Sequence, residues 1–343
     1  MQAPGRAPPN RSPFAFGRHH ECQGGVAMLH DHHTHLFSPA AVERIRPHGA
    51  QFAPGTVDEL VRLLDDDGVE RALVLSVAYF FGMPDVGAAD PRGMAAENDW
   101  VAAQVSGHPD RLAACCAVNP LMPQAAAEVE RCAATGRFVG VKMHLANSDA
   151  DLRNPDHVAA IADIVACANA SGLAPVVHMR TRRADYGAVD AQAFIDRVLP
   201  EARDVGMQIA HVAGWGGYDN ANDAALGAFA RWAAGSGRAA ARNVSFDIAL
   251  ARLDHRPEVP ADLPADEVAA RDAWHARRFD HLVGHVRAIG VDRFVFATDW
   301  PVATPRAYAQ DLAAQVPFSP AELARIRGNV APWLRRPASS DTP

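Results

Sequence analysis

Three features of the sequence predict a (β/α)8 TIM barrel. From Met28 onward, eight short β-branched or apolar runs alternate with longer helical segments, the pattern of repeated βα units on a parallel sheet. Together they fill roughly 300 residues, the size of such a barrel with insertions. No GxGxxG or GxxxxGK[ST] motif follows the first run, so the competing doubly wound sheet lacks its usual nucleotide-binding rationale.

The first strand is MLHDHHTHL (28–36), and the helix TVDELVRLLDDDG (56–68) leads to the second, RALVLSV (71–77). ENDWVAAQVSG (97–107) leads to RLAACCAV (111–118), and AAAEVERCAATG (125–136) to FVGVKMHL (138–145). HVAAIADIVACANASG (157–172) precedes APVVHMRT (174–181), and AQAFIDRVLPEARDVG (191–206) precedes MQIAHVAG (207–214). AALGAFARWAAGSG (224–237) and DAWHARRFDHLVGHVRAIG (272–290) precede the last two strands, NVSFDIAL (243–250) and RFVFATDW (293–300). Several helices stop at a Gly, which tolerates the left-handed position after a helix end. A final helix opens with SPAE, placing Ser319 as N-cap, Pro320 in the first turn and Glu322 in a capping box. Long connections at 78–95 and 251–266 leave strand C-terminal ends, where barrel active sites and their lids sit. In the first of them, Tyr79, Phe80 and Phe81 either wall a substrate pocket or plug the barrel's hydrophobic top.

The 343 residues are 49% hydrophobic and 21% charged, enough to bury a large core. The barrel is assigned to 28–336, with disordered tails at 1–27 and 337–343; the first tail is rich in Pro, Gly and Arg and lacks the apolar core of a secretory signal. A net charge of −7 argues against a nucleic-acid or acidic-membrane binder. Five scattered cysteines without a CxxC pair support neither a disulfide framework nor a thiolate zinc site, and point to a reducing cytoplasm. No apolar run approaches the length of a membrane span.

Polar residues near the C-terminal ends of barrel strands demand a reason, because the interior should be apolar. The first strand carries Asp31, His33 and His35 on one parity; the fourth carries Lys142 and His144, the fifth His178 and Arg180, the sixth His211, and the eighth ends in Asp299. In a closed barrel these ends converge on one mouth. His-x-His on a strand sets two imidazoles on one face, and His33, His35, His178 and Asp299 supply three nitrogens and a carboxylate while leaving a position open, as catalytic zinc requires. Ligand type alone leaves other divalent metals admissible.

The ordered set DHHTH, VGVKMH, VVHMR, IAHVAGWGG, FATDWP and RIRGNVAPWL resembles the amidohydrolase superfamily, in the amidohydrolase-2 branch that contains aminocarboxymuconate semialdehyde decarboxylase and its hydrolytic relatives. The resemblance spans about residues 28 to 335. It implies that His33, His35, His178 and Asp299 hold one divalent metal, zinc with manganese as the alternative, and that His211 is catalytic beside it. It also raises a two-metal arrangement bridged by a carboxylated Lys142, which the branch disfavours, and a homodimer, for which Trp215 or Trp232 offer apolar surface.

The expected reaction is hydrolysis of a lactone, ester or amide in a small, carboxylated substrate. A bound ion lowers the pKa of water from about 15.7 to about 7, Asp299 accepts the water's proton, and His211 polarises the carbonyl. Arg180 shares a face with His178 and suits a substrate carboxylate, whereas Arg182 and Arg183 read as solvated loop charges. Lys142 and His144 either bind a further anionic group or carbonyl, or pair internally with a carboxylate such as Asp247. Non-oxidative decarboxylation of an unsaturated or aromatic acid is the alternative, and a non-catalytic metal-binding barrel the second rival. Within the first strand, the pair nearer the C-terminal end is His33 with His35. Asp31 lies one layer deeper on their face as a supporting group, and His30 and His32 point toward the helices.

Overall fold

The computed structural model of the chain describes residues 30–46, 55–235, 237, 239–254 and 263–335. The tails assigned to 1–27 and 337–343, Cys22, and the middle half of the 251–266 connection, residues 255–262, lie outside the described residues. Eight parallel strands hydrogen-bond in sequence order: β1 (His30–Thr34), β2 (Arg71–Leu75), β3 (Leu112–Ala117), β4 (Gly140–His144), β5 (Ala174–His178), β6 (Met207–Ile209), β7 (Val244–Asp247) and β8 (Phe294–Val295). The chain beyond β8 closes the ring on β1, through His32 N–H to Phe296 O at 3.1 Å, Asp299 N–H to His33 O at 2.8 Å and His35 N–H to Trp300 O at 2.7 Å. The expected (β/α)8 barrel is the observed fold.

The helices are α1 (Pro39–Ile45), α2 (Val57–Asp67), α3 (Pro91–Ser106), α4 (Ala125–Ala134), α5 (Pro155–Ala170), α6 (Ala188–Arg197), α7 (Asn220–Ala234), α8 (Ala265–Ile289), α9 (Pro305–Gln315) and α10 (Pro320–Gly328). Helix α2 starts in a Thr56/Glu59 capping box and stops at Gly68, whose φ of 71° lies in the left-handed region. The SPAE box forms as expected, with Glu322 N–H donating to Ser319 Oγ and Ser319 N–H to the Glu322 carboxylate. Helix α3 starts six residues before its expected position because Asp90 caps it by accepting from Gly93 N–H at 2.9 Å. The short α1, capped by Ser38, and α9 are additions to the expected elements.

Strand parity divides the core. One extensive apolar cluster lies between sheet and helices, while Leu73, Leu75, Ala113, Cys115, Val176 and Leu334 form a second, smaller one. Arg71 donates to Leu334 O at 3.0 Å and ties the C-terminal segment to this second cluster. The opposite ends of the strands carry the polar residues. Cys115, Cys116, Cys132 and Cys167 are free thiols, and no helix among the described residues is long and apolar enough to cross a membrane.

Candidate active site

A cavity of about 320 Å3 opens at the C-terminal ends of the strands, the end at which such barrels carry their sites. His33, His35, Lys142, His144, His178, His211 and Asp299 all line it. Tyr79 and Phe80 wall it together with Phe37 and Trp215. Phe81 does not line it and instead packs beneath Gly93, with the Arg44 guanidinium 5.9 Å from its ring centre.

Strand β1 presents His33 and His35 with their ring nitrogens already sorted. His33 Nδ1–H donates to Asp247 Oδ2 at 2.9 Å, and His35 Nδ1–H donates to Leu75 O at 2.8 Å. In the neutral rings both Nε2 atoms therefore carry lone pairs, yet they stand 3.2 Å apart. Asp299 Oδ1 lies 3.4 Å from one and 3.3 Å from the other. Three electron-pair donors converging this closely repel one another unless a cation lies among them, so the donor set fits a divalent metal. His178, whose buried Nε2 has no hydrogen-bond partner among the described residues, lines the same mouth but lies outside this close group.

A second group, His33, His211 and Asp247, is also close, but protons already satisfy its atoms. His33 Nδ1–H and the His211 backbone N–H both point to Asp247, the latter at 2.7 Å, and His211 Nδ1–H donates to Ala249 O at 2.8 Å. This group is a support for the first one. Gln208 Nε2 donates to the same Asp247 carboxylate at 2.7 Å. The sequence assigns Asp247 only as an internal partner for Lys142, and that pair does not form. Its place in the site has one local signal, a carboxylate inside the otherwise strand-forming run SFDIAL.

Lys142 Nζ instead lies 3.5 Å from His33 Nε2. Burial, moderated by Asp247 and Asp299, pushes its pKa down to about 8. Burial, together with the charge of Lys142, pushes His33 down to about 3, which keeps its ring neutral. Burial raises Asp299 and Asp247. The imidazoles of His35, His211 and His33 around Asp299, and the His33 Nδ1–H and His211 N–H bonds at Asp247, outweigh it and hold each carboxyl well below the usual range. His144 stacks on His178 with ring centres 3.7 Å apart, and burial drives both imidazoles well below their ordinary pKa.

Backbone geometry at two of these residues departs from strand. Asp299 has a φ of 58°. Strand β6 ends two residues before His211, and His211, Val212 and Ala213 follow with φ of 52°, 47° and 67°. The left-handed region disfavours non-glycine residues by roughly 1–2 kcal/mol apiece, so surrounding contacts must hold this turn. It swings the His211 ring to 4.7 Å from His33 and 4.9 Å from His178, centre to centre. MQIAHVAG therefore does not continue as a strand through Gly214.

Asp31 is fully buried and does not line the cavity. It accepts from Thr298 Oγ1 at 2.6 Å and from the backbone N–H groups of Thr298 and His33 at 3.1 Å, bracing the segments that carry Asp299 and His33. Burial raises its pKa to about 7. His32 is fully buried: its Nδ1 donates to Phe296 O at 3.0 Å, its Nε2 accepts from Ala331 N–H at 3.1 Å, and it joins β1 to the chain just after β8 and to the C-terminal segment.

Arg180 is not brought to the cavity. Its Nη1 donates to both Asp219 oxygens, at 2.9 and 2.7 Å, and to Asn222 Oδ1 at 2.9 Å. Arg182 and Arg183 are likewise paired, with Asp85 and with Asp185 and Asp151. The arginine that does line the cavity is Arg252, from the connection after β7.

No curated protein matches the chain in sequence. Solved structures share its fold at low identity. The 5-carboxyvanillate decarboxylase LigW from Sphingomonas paucimobilis aligns at 16% identity and a TM-score of 0.55, covering 88% of this chain and 97% of its own. A probable 2-pyrone-4,6-dicarboxylic acid hydrolase from Acinetobacter baumannii aligns at 14% and 0.51, covering 87% and 96%. A zinc-bound amidohydrolase from Burkholderia multivorans aligns at 16% and 0.51, covering 88% and 96%. The model of the amidohydrolase family matches residues 30–331, and the chain belongs to that family of metal-dependent enzymes, whose members are hydrolases or decarboxylases.

Proposed function

We propose that the chain is a metal-dependent hydrolase that cleaves the C–O or C–N bond of a small carboxylated lactone, ester or amide. The observation that carries this reading is the convergence of His33 Nε2, His35 Nε2 and Asp299 Oδ1 on one point of the cavity wall. His33, His35, His178 and Asp299 would hold one divalent ion, zinc by ligand type and manganese as the alternative. Bound there, it supplies a water that ionises near neutral pH and a Lewis acid for a carbonyl oxygen.

The chain's own groups then divide the remaining work. Asp299, held ionised, accepts the water's proton and returns it to the leaving group. His211 presents a lone pair at Nε2 while its Nδ1–H is committed to Ala249 O, so it polarises a carbonyl only after it has taken a proton. Lys142, with three N–H donors, is the better group to hold the carbonyl oxygen from the outset. His144 stacks beside His178 as a substrate-facing wall. Arg252 replaces Arg180 as the partner for a substrate carboxylate: it lines the cavity, is exposed, and has no carboxylate in ion-pair range among the described residues. Arg252→Ala should raise KM for a carboxylated substrate by about 10- to 100-fold with little change in kcat. An unchanged KM removes Arg252 from this role.

A second reading is non-oxidative decarboxylation. It is favoured by the aromatic wall of Phe37, Tyr79, Phe80 and Trp215, which suits a planar unsaturated acid. Exhaustive chelation should abolish activity, and zinc or manganese should restore it. A panel of lactones, amides and aromatic acids then separates the chemistries: acid release marks the hydrolase, CO2 release the decarboxylase. Activity that survives complete removal of metal overturns both.

A further inference from the structure

The left-handed turn at His211–Ala213 places His211 at the cavity and is braced from behind by four side chains. Tyr186, buried two residues before α6, donates its hydroxyl to Ala213 O at 2.8 Å. Asn222, fully buried in the first turn of α7, donates through Nδ2 to His211 O at 3.5 Å and to Gly217 O at 3.1 Å. Its Oδ1 accepts from Arg180, and Asp219 both takes the Arg180 guanidinium and caps α7 by accepting from Asn222 N–H at 2.9 Å. The Arg180 guanidinium also lies 5.6 Å from the centre of the Tyr186 ring. Gly214 completes the fit, since a Cβ there would collide with the Asn222 amide.

We propose that Tyr186, Asn222 and Arg180 are positioning residues for His211. They form a clamp that holds three consecutive non-glycine residues in a conformation the backbone otherwise leaves. The front of the turn is fixed by Asp247, which accepts from His211 N–H, and by Ala249 O, which accepts from its ring. Those contacts hold His211 itself. The carbonyl side of the turn, at His211 and Ala213, is held by the clamp. Arg180 thereby acquires a defined role, in which Asp219 neutralises its charge while its geometry orients Asn222 and the Tyr186 ring. The clamp stands on its own geometry; only its effect on turnover rests on the catalytic reading of His211.

The test is hydrogen–deuterium exchange on the metal-loaded full chain, followed through the peptide covering 210–217. His211 N–H and Gly214 N–H are bonded within or beside the turn and report its opening. Tyr186→Phe removes one donor with little change of shape, and should speed exchange of this peptide by about three- to tenfold, the weight of one hydrogen bond, with β5 and β7 unaffected. Asn222→Ala should do more. Adding Ala213→Gly to Tyr186→Phe should restore slow exchange, because glycine adopts positive φ without penalty. A loss of packing alone would not be rescued this way. kcat should fall and recover in parallel, with KM unchanged. Exchange that is unaltered in folded Tyr186→Phe and Asn222→Ala overturns the clamp. Full activity in His211→Asn, with the exchange response intact, overturns the catalytic reading of His211 and leaves the clamp standing.

Discussion

Asp299→Asn is expected to lower turnover by about 10^3-fold or more while the barrel stays folded. Asn is among the few residues that tolerate positive φ, so the backbone at 58° and its bonds to His33 O and from Val302 N–H survive the change. What disappears is the charge. The Oδ1 that sits within 3.4 Å of both His33 Nε2 and His35 Nε2 becomes a weaker ligand, and no carboxylate remains at that position to take a proton. Turnover of whichever panel substrate the wild type accepts, together with metal content by elemental analysis, decides the matter. Wild-type activity in this variant would sink the hydrolytic proposal.

The barrel is legible in the sequence because its signal is periodic and repeated. Eight apolar runs separated by helical segments leave few other solutions; strand parity separates His33 and His35 from His30 and His32, and nearness to the strand's C-terminal end picks out the first pair. Boundaries are less legible where capping chemistry decides them, as at Asp90, and where the strand pattern outlasts the strand. MQIAHVAG reads as β through Gly214, yet the chain turns left-handed at His211 because Tyr186, Asn222 and Asp247 hold it there. Those partners are 25, 11 and 36 residues away in sequence, and no local pattern reports them.

The same distance explains the arginines. Arg180 shares parity with His178, which says which side of the strand it leaves but not where a long side chain ends. Asp219 and Asn222, on the first turn of α7, capture it. Arg252 reaches the cavity from a connection without a strand pattern to place it. Parity places short side chains such as His and Asp well. It places Arg and Lys poorly, because several rotatable bonds intervene between backbone and charge.

Asp247→Ala should have the largest effect on stability, about 3–5 kcal/mol of unfolding free energy, and should weaken metal binding by about 10- to 100-fold. The carboxylate is fully buried and accepts from His33 Nδ1–H, Gln208 Nε2–H and His211 N–H at 2.7–2.9 Å. Its removal strands three buried donors, each at the desolvation cost of an unmet hydrogen bond. It also frees the His33 ring to exchange tautomers, so that Nε2 no longer reliably carries the lone pair. Asp247→Asn separates the two effects. The amide fills the same volume and its oxygen still accepts, so less stability is lost. Its NH2 cannot accept from His33 Nδ1–H, so metal affinity falls nearly as far as in the alanine variant. Urea unfolding and competition against a chelator of known affinity measure the two quantities. Wild-type metal affinity in both variants would mean that Asp247 holds the barrel together without setting the chemistry of His33.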